Sequence, residues 1–210
     1  MAITVFDEAG NNVEESGQSG DLVCTAPFPS MPVTFWGSEG PEKYRRAYFE
    51  RSPGVWHHGD YLRINPKTHG ITMLGRSDGI LNPSGVRFGS AEIYAILLQF
   101  FSAQVEDSLC VGRRRPTDTD ETVVLFVKMA VGTTYSDELV KEIKSKIRSE
   151  LSPRHVPGIV AETPDIPHTI NNKKMETVVK QIISGTKVTP STSVANPQSI
   201  PFFVAWAREH

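Results

Sequence analysis

Charged side chains that could bind a polyanion stand close together in residues 75–94. Arg76 and Arg87 each offer a planar fork of hydrogen-bond donors that stays charged and suits ribose or phosphate oxygens. Asp78 lies between them, and turn signals on either side predict that all three are held at the ends of rigid elements. The stretch therefore predicts a site for a polyanionic ligand, with an ordinary surface ion pair as the alternative for Arg76.

Two candidates for chemistry lie outside this stretch. Asp60 follows a glycine in a predicted tight turn, where an ionised carboxylate can accept two hydrogen bonds at once; a solvated turn aspartate is the alternative. Lys173 carries a compact ammonium on a flexible stem, which can neutralise charge that develops on phosphoryl oxygens. The alternative is that Lys173 and Lys174 form a solvated pair at the start of a helix.

The elements that must position Arg87 are a turn and a helix start. In the run Asn82-Pro83-Ser84-Gly85, proline pre-sets the φ angle of a type I turn, and Gly85 can adopt the left-handed conformation that closes a hairpin loop. Turn geometry alone is a sufficient reason for this glycine. Ser90 is predicted to cap the following helix, with Glu92 in its first turn.

The pattern of the chain changes near Asp78. Residues 1–74 predict short strands with loops, including a hairpin of residues 61–64 and 71–74 whose first strand begins immediately after Asp60. Strands then alternate with amphipathic helices, one of which Ser136 can cap and Pro153 can stop. We predict an α+β fold with a β-rich part at residues 1–77, a compact α+β domain at 78–185, and a Ser/Thr/Pro-rich linker or arm at 186–210, whose apolar end is able to dock.

Composition excludes several kinds of function. With 22 basic and 24 acidic residues the chain has no overall field that would attract nucleic acid or a membrane surface, and Arg113, Arg114 and Arg115 are interpreted as a solvated turn. No apolar run approaches the roughly 20 residues of a membrane-spanning helix. Two cysteines and two adjacent histidines match no disulfide framework or metal site. We expect a protein of the cytoplasm that binds no metal through its own side chains.

Three motifs resemble those of one enzyme family when they are taken in order. They are His58-Gly59-Asp60, the stretch that begins Gly75-Arg76-Ser77-Asp78, and Pro167-His168-Thr169-Ile170-Asn171-Asn172-Lys173. Together they are similar to motifs of the adenylate-forming acyl-CoA synthetases, over residues 1–185. One departure is Asn172, which stands where the family usually has glycine; asparagine tolerates a left-handed conformation better than most residues.

The resemblance implies roles for the nucleotide-binding residues. Asp60 would hold the two ribose hydroxyls of ATP, Arg76 would lie beside the nucleotide, and Arg87 would meet phosphate charge. Asp78 would mark the hinge about which a small C-terminal domain turns between two half-reactions, and the adjacent Gly79 makes large backbone changes easy.

The resemblance also implies roles in the second domain. Lys173 would bridge the carboxylate substrate and the α-phosphate of ATP during adenylation. Gly85 would let the pantetheine arm of CoA pass close to the backbone. Arg148 would contact the CoA nucleotide, although its position on the polar face of a helix is also that of an ordinary solvated arginine.

The resemblance finally implies a reaction and a missing part. ATP, CoA and the Mg²⁺ that accompanies ATP are the expected cofactors. Several short runs are most similar to family members that activate acetoacetate, and a synthetase for acetate or propionate is the alternative. The sequence contains no phosphate loop, adenine pocket or acyl pocket, so we expect a missing N-terminal large domain and an inactive isolated chain. A non-catalytic binding module is the alternative from another functional class.

Overall fold

A computed structural model describes residues 1–186, 188 and 194–210. Contacts within the chain divide it into two compact units, Met1–Asp78 and Gly79–His210. Both units contain strands and helices, and the predicted α+β fold class is confirmed. None of the helices in these ranges is long and apolar enough to cross a membrane.

The first unit is built on a four-stranded antiparallel sheet. Its strands follow chain order and are β1 (Ile3–Phe6), β2 (Ser19–Cys24), β3 (Trp56–Ile64) and β4 (Ile71–Arg76). Because β3 begins at Trp56, the prediction that a strand starts immediately after Asp60 is wrong. Asp60 instead lies within β3 and pairs with Arg76 of β4.

The first unit also contains one α-helix that the sequence did not predict, α1 (Gly40–Tyr48). Tyr48 stacks on the indole of Trp56 with ring centroids 3.7 Å apart, and Tyr44 packs against the same indole at 6.0 Å. Glu42 also pairs with Arg45 and Arg46, one turn further along the helix. Aromatic packing from a distant strand therefore stabilises a helix whose local sequence is rich in glycine and proline.

The second unit packs helices on both faces of a three-stranded sheet. Its elements are α2 (Ser90–Phe101), β5 (Val105–Arg113), β6 (Thr122–Met129), α3 (Asp137–Glu150), β7 (Ile159–Glu162), α4 (Glu176–Ile183) and α5 (Ile200–Glu209). The central strand β6 is antiparallel to β5 and parallel to β7. Leu125 faces the apolar cluster under α2 and α3, whereas Phe126 faces the cluster under α4 and α5.

The predicted capping residue is confirmed for α3 and is wrong for α2. Ser136 caps α3 by accepting a hydrogen bond from the Leu139 N–H at 3.2 Å, as predicted. The predicted Ser90 cap is wrong by one residue. Gly89 occupies the N-cap position, and its N–H donates to Glu92 at 3.1 Å. The Ser90 hydroxyl is directed inward and donates to Glu176 at 2.9 Å.

The C-terminal tail ends in regular structure. Part of the predicted linker, residues 187 and 189–193, lies outside the described residues. Pro197–Ser199 forms a 3-10 turn, and α5 follows it and buries Phe203 and Trp206 against Phe126.

Two arginines tie the ends of α4 and α5 to the β5–β6 connection. Arg115 donates to the carbonyls of Ile183 and Ala207, and Arg113 donates to the carbonyl of His210. The prediction of a solvated basic turn is therefore wrong for Arg113 and Arg115.

Candidate functional site

In the first unit, the antiparallel register of β3 and β4 brings three of the candidate residues together. Arg76 lies opposite Asp60, and its Nη1 is 3.4 Å from Asp60 Oδ1. The Nε atom of the same guanidinium lies 3.6 Å from Asp78 Oδ1. The Arg76 and Asp78 side chains are more than half exposed, whereas that of Asp60 is 19% exposed. The arrangement places the guanidinium donors of Arg76 next to the carboxylate acceptors of Asp60 and Asp78, near the end of the paired strands β3 and β4.

Two features of the structure favour glycine at position 59. Its φ angle is +87°, which L-residues with side chains rarely adopt, and a Cβ atom built there would lie 2.9 Å from Arg76 Nη2. A side chain at position 59 would thus require both a strained φ angle and a shift of the flexible end of Arg76. The glycine allows Arg76 to lie close to the backbone next to Asp60.

His58 joins this cluster, although the sequence analysis assigned it no role. Its Nδ1 lies 2.5 Å from Asp60 Oδ2. Alternate residues of a strand point to the same face, and the spacing of two between His58 and Asp60 was the signal that could have revealed the contact. Each Asp60 oxygen therefore has one protein neighbour and keeps acceptor capacity for a further donor.

In the second unit, Gly85 and Arg87 lie in a turn that closes between Leu81 and Phe88. The backbones of Leu81 and Phe88 exchange two hydrogen bonds of 3.0 Å. Gly85 has a φ angle of +79°, which confirms the predicted left-handed glycine, and apart from its two chain neighbours no described residue has an atom within 4 Å of a Cβ built on it. A ligand could thus come close to the backbone at Gly85. Arg87, which follows shortly after it in the sequence, is half-buried.

Two acidic residues that the sequence analysis missed hold this turn. Asp120 Oδ2 accepts from both the N–H and the hydroxyl of Ser84 at 2.7 Å, and Glu121 Oε1 accepts from the Asn82 N–H at 2.7 Å. The hydrogen bond from the Ser84 hydroxyl is the main cause that lowers the pKa of Asp120. Ser84 adopts a φ angle of +52°, so the carboxylate stabilises a conformation that serine rarely adopts.

Lys173 lies at the end of a short closed loop of residues 169–173. The Thr169 N–H donates to the Lys173 carbonyl at 2.8 Å, and the Lys173 N–H donates back to the Thr169 hydroxyl at 3.1 Å. Asn172 has a φ angle of +58°, the left-handed conformation that its family glycine would adopt freely. The Lys173 side chain is exposed, and its ammonium has no hydrogen-bond or ion-pair partner in the part of the chain that the structure describes.

The adjacent Lys174 is in a very different environment. Its Nζ lies 2.6 Å from Asp107 Oδ1, donates to the Ser108 carbonyl, and lies 4.3 Å from the centre of the Tyr94 ring. The two lysines are therefore not a solvated pair. Lys174 is engaged by the protein, while the charge of Lys173 is available to a ligand.

Arg148 is not brought to either of these loops by any described contact. It lies exposed in the last turn of α3, next to the buried Ile147, and its guanidinium has no partner among residues 1–186, 188 and 194–210. Over the same ranges, no group of three His, Cys, Asp or Glu side chains could hold a metal ion.

Comparison with known proteins relates these features to one enzyme family. Residues 102–173 match the model of the AMP-binding enzyme C-terminal domain. An acetoacetyl-CoA synthetase of Rattus norvegicus is 55% identical over 203 residues, which cover 97% of this chain and 30% of that protein. A malonamoyl-CoA synthetase of Penicillium aethiopicum is 49% identical over 212 residues, covering 100% of this chain and 28% of that protein.

A solved structure agrees with the sequence comparison. The acetoacetyl-CoA synthetase from Streptomyces lividans superimposes with a TM-score of 0.86 at 36% identity, covering 99% of this chain and 30% of that chain. The chain thus spans about 30% of the length of the rat relative. It resembles the C-terminal portion of the acetoacetyl-CoA synthetases, and its residues 102–173 match the AMP-binding enzyme C-terminal domain.

Proposed function

We propose that this chain is the C-terminal part of an acetoacetate–CoA ligase of the cytoplasm. In the first half-reaction, a carboxylate oxygen of acetoacetate attacks the α-phosphorus of ATP, which forms acetoacetyl-AMP and releases pyrophosphate. In the second, the CoA thiol attacks the acyl carbon and loses its proton, and AMP leaves. The observation that carries the proposal is the closed loop that presents an exposed Lys173, whose ammonium has no partner among the described residues, beside a fully engaged Lys174.

Lys173 has the chemistry that adenylation requires. Two anions must approach each other while negative charge spreads over the phosphoryl oxygens, and an ammonium can neutralise both. Lys174 is unsuited to this role because its charge is already paired with Asp107. Removing one preorganised charge contact of this kind costs about 100-fold to 1,000-fold in rate.

The residues around Asp60 fit the ribose of a nucleotide. Hydroxyl groups of the ribose would donate to the Asp60 carboxylate, whose oxygens each retain acceptor capacity beside His58 and Arg76. Arg76 is exposed and offers donors to nucleotide oxygens. The Mg²⁺ that accompanies ATP would be held through the nucleotide phosphates, since the described side chains form no metal cluster.

The remaining candidates would act in thioester formation. Asp78, the last residue of the first unit, would be the hinge. The open backbone at Gly85 suits the pantetheine arm, and Arg87 would meet a phosphate. Arg148 would bind the CoA nucleotide.

The choice of acetoacetate rests on the names of the similar proteins. A malonamoyl-CoA synthetase is also similar over the whole chain, so this part of the protein is shared by enzymes with different acyl substrates. We therefore place the acyl pocket, with the phosphate loop, in a missing N-terminal domain. The isolated chain is then inactive because Lys173 has no positioned substrate.

A chimera tests the proposal. This chain would replace the matching 30% of the Streptomyces lividans acetoacetyl-CoA synthetase, and acetoacetate-dependent exchange of pyrophosphate into ATP would report adenylation. We expect exchange in the chimera, none in the isolated chain, and a loss of about 100-fold or more in Lys173→Ala. Lys141→Ala, at an exposed position on α3, is the matched control and should be fully active.

Exchange that survives Lys173→Ala would refute the assigned role of this lysine. A folded chimera without exchange would favour the alternative of a non-catalytic binding module. Comparing acetoacetate with acetate and propionate in the same chimera tests whether the missing domain selects the acyl group.

A further inference from the structure

The loop that presents Lys173 has a neck formed by the two residues that flank it. His168 and Lys174 pair as an isolated antiparallel bridge on either side of residues 169–173. Both of their side chains reach the same carboxylate, that of Asp107 on β5. Lys174 Nζ lies 2.6 Å from Oδ1, and His168 Nε2 lies 3.4 Å from Oδ2. One carboxylate thus contacts both sides of the neck.

Asp107 is itself held in place by the sheet. The pairing of β5 with β6 shifts register between Val105 and Asp107, which marks a bulge at this position. Asp107 Oδ1 also accepts a hydrogen bond from the Ser108 N–H at 2.8 Å, and the side chain is 24% exposed. The carboxylate is therefore fixed to the core of the second unit, whereas the loop projects from it.

Each partner of Asp107 is also oriented by a second contact. The Nδ1 atom of His168 lies 2.9 Å from the Ile166 carbonyl, and this contact holds the imidazole ring with Nε2 toward Asp107. Lys174 is further held by the Ser108 carbonyl and by the face of the Tyr94 ring. Both sides of the neck are thus anchored at the same carboxylate.

We propose that Asp107 is a positioning residue for Lys173, acting through His168 and Lys174. It ties the two ends of the loop to β5, so that the loop stays closed and Lys173, next to the neck, presents its ammonium in one place. The catalytic consequence rests on the proposed function, whereas the closing of the loop does not. Lys174 is by this inference a structural partner of Asp107 and not a second catalytic lysine.

Hydrogen exchange on the isolated 210-residue chain tests the closing of the loop without any activity. In Asp107→Asn, we expect the Thr169, Asn172 and Lys173 amides to exchange at least about tenfold faster, because a charge-assisted hydrogen bond is lost. Glu106→Gln is the matched control. It alters the neighbouring carboxylate of β5, which pairs with Lys128 at 2.8 Å and does not touch the neck.

Lys174→Gln removes the contact between Lys174 and Asp107 by changing the lysine. It can replace Asp107→Asn as the test if that variant does not fold. Both variants should loosen the loop, and the double variant should loosen it by less than the sum of the two single effects, because both single variants lose the contact between Lys174 and Asp107. Unchanged loop amides in Asp107→Asn and Lys174→Gln would overturn the proposal.

The chimera then tests the positioning of Lys173. Asp107→Asn should lower kcat for pyrophosphate exchange about tenfold and leave the KM for ATP unchanged, whereas Glu106→Gln should change neither. A loosened loop with an unchanged kcat would overturn the positioning role. An unmodified chimera that shows no exchange would refute the proposed function, while the amide exchange rates of the chain would still decide whether Asp107 closes the loop.

Discussion

Replacing Tyr94 by phenylalanine removes one hydroxyl from the interior of the second unit. This hydroxyl donates to Glu176 Oε1 at 2.5 Å and accepts from the Cys110 N–H at 2.9 Å. The ring beneath Lys174 is retained in Tyr94→Phe, so that contact is nearly unchanged. The variant therefore isolates the contribution of the two hydrogen bonds.

The two hydrogen bonds set the size of the effect. A hydrogen bond to a charged group contributes about 1.5 to 3 kcal/mol, and a buried N–H left without an acceptor costs about 1 to 3 kcal/mol. Glu176 keeps its hydrogen bond from Ser90, so the total cost in free energy lies toward the lower end of these two ranges added together. We expect Tyr94→Phe to lower the free energy of unfolding of the second unit by about 3 kcal/mol.

Native-state hydrogen exchange at the β6 amides measures this change, because that strand is central to the sheet of the second unit. A loss of about 3 kcal/mol corresponds to exchange about 100-fold faster. Tyr135→Phe is the matched control. Its hydroxyl donates one bond, to the Val160 carbonyl at 2.9 Å, and its loss should cost about 1 kcal/mol. Equal effects of the two variants would refute the reasoning.

The Tyr94 hydroxyl also predicts that the stability of the second unit depends on pH in the alkaline range. Burial is the main cause that raises the pKa of Tyr94 well above its usual value, and the charge of Glu176 adds to it. Above pH about 10, the unfolded chain loses this proton while the folded chain keeps it, so stability falls as pH rises. In Tyr94→Phe, the free energy of unfolding should fall less steeply with pH above about 10. An equally steep fall in the variant would contradict the raised pKa of Tyr94.

Three further perturbations have expected outcomes. Asn172→Ala should lower the free energy of unfolding by about 1 kcal/mol relative to Asn172→Gly in urea titrations, because alanine tolerates the left-handed φ angle of +58° less well; equal stabilities would contradict this. Cys24 and Cys110 are buried, and burial raises the pKa of both thiols, so a thiol reagent should label them only in denaturant; rapid labelling of the native chain would count against the fold. Burial also lowers the pKa of His57, so the first unit should lose stability as pH falls below about 6.5, and less so in His57→Gln; an NMR titration that places the pKa of His57 at or above 6.5 would refute this.

Elements with strong local signals were predicted well from the sequence. The helix α3 has a capping serine, apolar residues at helical spacing and a proline shortly after its end, and all three signals lie within the helix or directly beside it. The left-handed Gly85 follows from turn chemistry in the same way. These predictions succeeded because the interactions that decide them are local.

The features that the sequence did not predict depend on partners outside the element itself. Residues 40–48 form a helix whose tyrosines pack on Trp56 of β3, and the short β7 pairs with β6 across the intervening helix α3. The contact of Asp120 with Ser84 spans 36 residues, and that of Lys174 with Asp107 spans 67. Periodicity and motif spacing contain no information about such pairs.

The packing of α5 has a consequence for how this protein can be divided. The matched domain ends at residue 173, yet Phe203 and Trp206 from α5 complete the apolar layer over Phe126. A shortened chain that stops after Gly185 would keep every matched residue and leave an apolar face of the sheet, including Phe126, without its cover by α5. Such a face promotes self-association. We therefore expect a chain shortened to Gly185 to self-associate more readily than the 210-residue chain.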